Sequence, residues 1–409
     1  MTDEVVLELR NRIRSKIDFS GALTDESLMK LAEEVVFQWC ERHPLTATEK
    51  VSLVKRLFHS FRGLDILQPL MEDPSVTEIM INHHAEIFVE RQGCLTPLSV
   101  SFESRERLED LIQTVVASVN RVVNESSPIV DARLKDGSRV HVVLPPIALK
   151  GPCMTIRKFP EQPLSMEQLV SLGSLTAEAA AFLKDLIGAG YNVFISGGTG
   201  TGKTTFINAL TQFVPADERI VTIEDSAELQ IRRLPNLVSM ETRNANTEGK
   251  GEITMRDLIR ASLRMRPNRI IVGEVRGGEA LDMLQALNTG HSGMSTGHSN
   301  GAGDMIARLE TMVLSAAELP VQVIRQQIAS AIDIVIHLAR FRDRSRRVKE
   351  ICEVAGVEGG EIRLNPLFLF EEEGERNGKV LGGLKRTANA LIHSGKLRSA
   401  GRGIGGGLG

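Results

Sequence analysis

The sequence predicts an α/β protein of more than one domain, the larger domain built on a mostly parallel sheet with helices on both faces. Three observations carry this. Between about 177 and 340, apolar strand-like runs (193–195, 220–224, 270–273) alternate with amphipathic stretches (203–213, 254–264, 278–289), the pattern of parallel strands joined by crossover helices. The glycine-rich stretch Gly197-Gly198-Thr199-Gly200-Thr201-Gly202-Lys203-Thr204-Thr205 sits between the first of those strands and its helix. Two later strands end in carboxylates, Glu224 and Glu274, at the edge where such sheets bind ligands.

Taken in order, residues 1–60 read as a helical segment. Val6, Leu9, Ile13 and Ile17 recur three or four apart, and Leu28, Leu31, Val35 and Trp39 repeat the pattern before His43-Pro44 breaks it. A small bundle packed on the next domain and a docking element for partners both fit this pattern. Residues 61–160 read as a smaller α/β domain, with strands at 78–81 and 86–90, an amphipathic helix at 104–123 and a hairpin over 133–140 turning at Asp136-Gly137. A Pro-bounded linker is expected at 161–176, and the larger domain at 177–398. That domain closes with an antiparallel meander of 332–338, 348–357 and 361–370. The last eleven residues, 399–409, include six glycines and are expected to be a disordered tail.

Composition narrows the function. A net charge of −3 over 409 residues gives no global case for nucleic-acid binding. No apolar run approaches the roughly eighteen residues needed to span a bilayer, and the acidic Met-Thr-Asp-Glu-Val start lacks the order of a signal peptide. A cytoplasmic location is the expectation. Four scattered cysteines without a C-x-x-C pair argue against a disulfide framework and a zinc site.

The chemistry concentrates in the second half. Gly197, Gly202, Lys203 and Thr204 occupy the fixed places of G-x-x-x-x-G-K-[ST]. Glycines let successive amides face phosphate oxygens, the lysine reaches the β/γ-phosphates and the threonine hydroxyl joins Mg²⁺. Gly198, Thr199, Gly200, Thr201, Gly202, Lys203, Thr204 and Thr205 are therefore the expected nucleotide-binding residues, with a nucleoside triphosphate and Mg²⁺ as ligands. Glu274 ends the strand Arg269-Ile270-Ile271-Val272-Gly273, where an aspartate is usual, and Glu224 ends Val221-Thr222-Ile223. Either carboxylate suits a metal ion, directly or through water. The stretch 289–299, with His291 and His298 among glycines and hydroxyls, reads as a polar loop that senses a γ-phosphate. A basic run, Arg340, Arg342, Arg344, Arg346, Arg347 and Lys349, falls at an expected hairpin tip. It fits a solvated turn, or a contact with an acidic loop or lipid head groups.

This order of motifs resembles the secretion and type IV pilus superfamily of ATPases. The strings at 125–134, 136–139, 155–159, 248–258 and 273–280 are similar to the CpaF family of Tad/Flp pilus-assembly ATPases. The resemblance covers about 60 to 370. It implies a RecA-like P-loop NTPase domain preceded by a smaller, PAS-like α/β domain and a helical segment. It also implies that the nucleotide is ATP and that the chain is a homohexameric, Mg²⁺-dependent ATPase that powers pilus assembly. Glu274 would activate water, with Glu224 on the metal side and His298 sensing the γ-phosphate beside His291. Arg133, Arg139 and Arg157 would reach the nucleotide from the smaller domain, and Arg264 and Arg266 a neighbouring subunit's site. Implied partners are inner-membrane pilus platform proteins, with peripheral membrane contact through them, and regulators on the N-terminal helices; no nucleic acid is expected. The absence of a tetracysteine insert favours the Tad or type IV secretion branches. A type IV secretion or conjugation ATPase is the alternative reading, and a nucleotide-gated oligomeric scaffold with little turnover is the third.

Overall fold

The structure, a computed structural model, describes residues 3–17, 24–91, 93–159, 162–243, 245 and 250–402. It divides into two compact units, Met1–Glu161 and Gln162–Gly409.

The first unit begins with three helices, α1 (Asp3–Lys16), α2 (Asp25–Cys40) and α3 (Ala47–Arg62). Thr24 accepts a hydrogen bond from the Ser27 amide, and Thr46 with Glu49 forms a reciprocal capping box, which fixes where α2 and α3 start. Val6, Leu9 and Ile13 are buried against Leu28, Val35, Leu53 and Leu57. Ala32 and Val36 take inner places in α2, while Leu31 and Trp39 are only partly buried. After α4 (Gln68–Glu72), the strands β1 (Val76–His83), β2 (Glu86–Arg91), β3 (Cys94–Pro97), β4 (Ile129–Arg133), β5 (Arg139–Val143) and β6 (Cys153–Arg157) form one sheet in the order β3-β2-β1-β6-β5-β4, antiparallel throughout. Helix α5 (Arg105–Ser118) buries Leu108, Ile112 and Val115 with Ile79, Val89, Val140 and Ile156 from the strands. The helix stops at Ser118 rather than 123, because Asn120 turns into the left-handed region (φ 56°). From α5, Arg107 ties the helical layer to the sheet, donating to Asp65 Oδ2 at 2.7 Å and to the Ser60 carbonyl at 2.7 Å. The hairpin expected at Asp136-Gly137 forms, with Gly137 at φ 92°.

The second unit contains α6 (Met166–Ser171), α7 (Ala177–Gly188), β7 (Val193–Gly197), α8 (Lys203–Thr211), β8 (Ile220–Glu224), β9 (Leu237–Glu241), α9 (Met255–Ser262), β10 (Arg269–Val272), α10 (Glu279–Asn288), β11 (Ser292–Gly297), α11 (Ala302–Ala316), α12 (Val321–Ala331), β12 (Ile334–Arg340), β13 (Arg346–Glu358), β14 (Glu361–Arg376), β15 (Lys379–Arg386) and α13 (Gly395–Ser399). Its nine strands run β15-β14-β13-β12-β7-β11-β10-β8-β9. From β12 to β9 all neighbours are parallel, and β12 through β15 are antiparallel. Successive residues of β7 feed opposite cores, as a strand's two-residue period requires. Val193 and Ile195 pack with Leu183, Leu186, Phe206 and Leu210, and Phe194 packs with Leu284, Leu309 and Ile328. Helices thus cover both faces, as the sequence predicts.

Three expectations change. Ser292–Gly297, read as part of a polar loop, is the buried strand β11 between β7 and β10. The meander has a fourth strand, β15, in a region whose sequence carries only a faint pattern. Residues 399–402 continue an ordered segment, while 403–409, the rest of the expected tail, lie outside the described residues, as do Glu161 of the linker and Glu248-Gly249. That segment is anchored at Glu353, 1% exposed, which accepts from the Ile392 and His393 amides at 2.8 and 2.7 Å and from Asn365 Nδ2 at 2.9 Å. Tyr191 donates its hydroxyl to the His393 carbonyl at 2.6 Å, and Lys396 pairs with Asp333 at 2.6 Å. Most of the basic run is also engaged. Arg342 pairs with Glu372 and Glu375, and Arg347 lies over the rings of Phe341 and Phe370 while pairing with Asp343.

Candidate nucleotide site

The glycine-rich loop leaves β7 at its C-terminal end and closes into α8, whose first residue is Lys203. Gly202 adopts φ 93°, a conformation that side chains resist. Gly197 needs its lack of a side chain for another reason: a Cβ there would lie 2.5 Å from the Leu338 carbonyl of β12. The Thr201 hydroxyl donates to the Gly198 carbonyl at 2.9 Å and staples the loop. The Lys203 ammonium, on a residue only 8% exposed, donates to the carbonyls of Gly197 and Gly198, each at 3.1 Å.

The adjacent strands add the rest. His298 follows directly on β11, and its Nδ1 lies 3.2 Å from Lys203 Nζ. An ammonium can only donate, so Nδ1 accepts and the ring proton sits on Nε2. Burial first, and then the charge of Lys203, holds the His298 pKa below the ordinary imidazole value. Its Nε2 stands 2.8 Å from Glu274 Oε1, an ion-pair distance that lacks hydrogen-bond alignment. Oε1 is therefore a buried oxygen with no hydrogen-bonded partner. The other oxygen of Glu274 accepts from Arg276 at 2.8 Å, and Arg276 also approaches Asp225 at 3.4 Å.

Glu224 is 4% exposed and accepts from the amides of Glu228 and Leu229 at 2.8 and 3.0 Å. Gly273 makes room for it, since a Cβ there would fall 2.8 Å from Glu224 Cγ. Burial pushes the Glu224 carboxyl up to about 7, against the opposing pull of those amides. The folded chain thus keeps a proton between the ordinary carboxylate value, 4.5, and about 7, so stability falls as pH rises through that window. Glu224→Gln is expected to stabilise the nucleotide-free protein at pH 8 by about 2 kcal/mol and to change it little at pH 5. Thermal unfolding at the two pH values checks this, and an equal shift at both would remove burial as the cause.

Thr204 Oγ1 donates to Glu228 Oε2 at 3.1 Å, so the expected metal residues Thr204, Glu224 and Glu274 gather at one sheet edge with Glu228 among them. Among the described residues no three His, Cys, Asp or Glu form a ready-made metal cage. The glycine cradle, the buried ammonium and the Glu274 carboxylate fit Mg²⁺ with a nucleotide.

His291 lies elsewhere. It precedes β11 at the other end of the strand, seven residues or about 23 Å of extended chain from His298, with Nδ1 near the Ala286 carbonyl and the Thr289 hydroxyl. In the first unit, Arg133, Arg139 and Arg157 are direct lateral partners across β4, β5 and β6. Arg133 also stacks on Phe159, 5.4 Å from the ring centroid. Like charges side by side oppose the sheet, and Glu78 of β1, the lateral partner of Arg157 on its other side, offsets part of that repulsion.

The family model described as "Type II/IV secretion system protein" matches residues 61–374. The chain belongs to that family. A Mycobacterium tuberculosis protein named for conjugal transfer is 36% identical over 76% of this chain and 90% of its own. The type IV secretion system protein VirB11 of Brucella suis is 31% identical over 70% of this chain and 87% of its own. In fold, the chain is similar to the pilus retraction motor PilT crystallised with ADP, with a TM-score of 0.52 at 20% identity, covering 82% of this chain and 87% of that one. Among the described residues no helix is long and apolar enough to cross a membrane.

Sequence reasoning missed three residues that the structure brings to this loop and its neighbouring carboxylates. Glu228 was visible only as a carboxylate four residues after Glu224, Arg276 as the second residue after Glu274, and Arg346 as one of a basic run. Arg346 Nε donates to the Gly200 carbonyl at 2.8 Å, which places it on the phosphate loop rather than in a solvated turn.

Proposed function

We propose that this chain is an ATP-hydrolysing motor, working as a homohexamer on the cytoplasmic face of a bacterial inner membrane and driving assembly of a Tad/Flp-type pilus through platform proteins. The observation that carries it is the run of contacts from Lys203 to His298 to Glu274 at the C-terminal edge of the parallel strands. Lys203, Thr204 and the loop amides hold phosphates. Mg²⁺, when bound, supplies charge neutralisation at those phosphates. Glu274, its second oxygen fixed by Arg276, takes the proton of an attacking water at Oε1. Neutral His298 reads whether Lys203 is engaged by a phosphate, because the lysine cannot face both in full. Arg133, Arg139 and Arg157 form the cationic row that answers the nucleotide's charge, and the N-terminal helices are the place for a regulator.

The motif strings at 125–134, 155–159 and 273–280 support the pilus reading. A conjugation or type IV secretion role is the second reading, favoured by the names of the relatives. Replacing the host's own copy with Glu274→Gln is expected to abolish surface pili and leave DNA transfer intact. Loss of transfer with normal pili would establish the second reading instead. The purified motor is expected to turn over ATP at the same rate with and without single-stranded DNA, whereas stimulation falling steeply with salt would mark a nucleic-acid translocase.

A further inference from the structure

One strand outside the phosphate loop touches the site twice. At the start of β13, Arg346 Nε donates to the Gly200 carbonyl at 2.8 Å, and its Cδ is the nearest atom, at 3.7 Å, to where a Gly202 Cβ would stand. The side chain therefore lies along the outer wall of the loop. Four residues on, Glu350 Oε1 accepts from the Ala302 amide at 2.8 Å. Helix α11 has no side-chain cap of its own, since Gly301 holds the cap position, so Glu350 supplies from β13 what the local sequence lacks. The turn it pins runs back through Ser299, whose hydroxyl donates to the Gly301 carbonyl at 2.9 Å, to His298. Between the two contacts the pairing is irregular: β12 advances one residue, His337 to Leu338, while β13 advances two, Glu350 to Val348. Such bulges re-aim side chains and cluster beside functional sites.

We propose that Arg346 and Glu350 are positioning residues of the nucleotide site, with separate effects. Arg346 polarises the Gly200–Thr201 peptide from outside, strengthening the Thr201 amide as a phosphate donor and fixing the loop before the anion arrives. Glu350 holds the turn that places His298 against Lys203 and Glu274. Arg346 therefore governs binding, and Glu350 governs the chemical step. This inference rests on the reading of the loop as a nucleotide site.

The test measures Kd for N-methylanthraniloyl-ADP by fluorescence, and kcat and KM for Mg²⁺·ATP, on the full chain. Arg346→Ala is expected to raise Kd and KM about tenfold, as for a lost charge-assisted hydrogen bond, with kcat changed less than about threefold. Arg346→Lys, which keeps one donor, recovers part of the affinity. Glu350→Ala is expected to lower kcat about tenfold through misplacement of His298 with Kd within about twofold. Glu350→Gln, whose amide oxygen can accept the same bond, restores kcat. Equal effects of the two alanine variants on Kd and kcat, or no rescue by Gln, would overturn the assignment. Lys203→Ala serves as the reference. If it binds the fluorescent nucleotide normally, the nucleotide-site reading itself fails; if it does not bind while Arg346→Ala binds like the parent, only the present inference fails.

Discussion

Lys203→Ala is expected to weaken ATP and ADP binding by at least about a hundredfold and to abolish turnover, the loss of a largely buried cation partner being worth about 3–5 kcal/mol. The ammonium is the largest concentration of positive charge inside the loop, and two loop carbonyls and His298 already orient it. A phosphate oxygen has only to take over contacts that are in place. Lys203→Arg is expected to fail as well, because a planar fork does not fit a cradle built for a point charge. Isothermal titration with Mg²⁺·ATP checks both variants. Normal Mg²⁺-dependent turnover by Lys203→Ala would sink the proposed mechanism.

Glu274→Gln is expected to leave nucleotide affinity within about threefold and to lower kcat by roughly 10²–10⁴, the usual contribution of a positioned base. The amide keeps the size of the carboxylate but cannot accept the proton of a water. Its oxygen can still receive Arg276, so the local structure is retained. A single-turnover measurement with saturating ATP separates the chemical step from release. A variant that hydrolyses at the parent rate would move the base to another carboxylate of this edge, Glu228 beside Thr204 among them.

The residues most legible in the sequence are those whose role is set locally. The phosphate loop carries its own backbone requirements, and Glu224 and Glu274 announce themselves by ending apolar strands. The alternation of cores along Val193, Phe194 and Ile195 follows from a continuous apolar run. β11 was illegible for a physical reason. Ser-Gly-Met-Ser-Thr-Gly has no apolar run, because its neighbours leave no space for one. A Cβ at Gly293 would meet Leu287 at 2.4 Å, and one at Gly297 would meet Met305 at 2.9 Å. Small residues there permit close packing of α10 and α11, and they read as a loop. Arg346 meets the loop only through a contact between residues 146 apart in the chain, and Glu228 reaches Thr204 across 24; Arg276 pairs with Glu274 two residues away, a contact that no apolar period marks. His291 shows the converse: proximity in sequence to His298 misled, because a strand's length separates them.

The anchoring of residues 389–402 bears on where this chain tolerates being cut. Glu353 accepts from the amides of Ile392 and His393, so a chain ending before them would take two donors from an almost wholly enclosed carboxyl group. Proteolysis or a premature stop at that point would disturb β13, an interior strand of the sheet, rather than trim its margin. The segment is thus a keystone: it supplies hydrogen-bond donors to a strand some forty residues earlier in the chain.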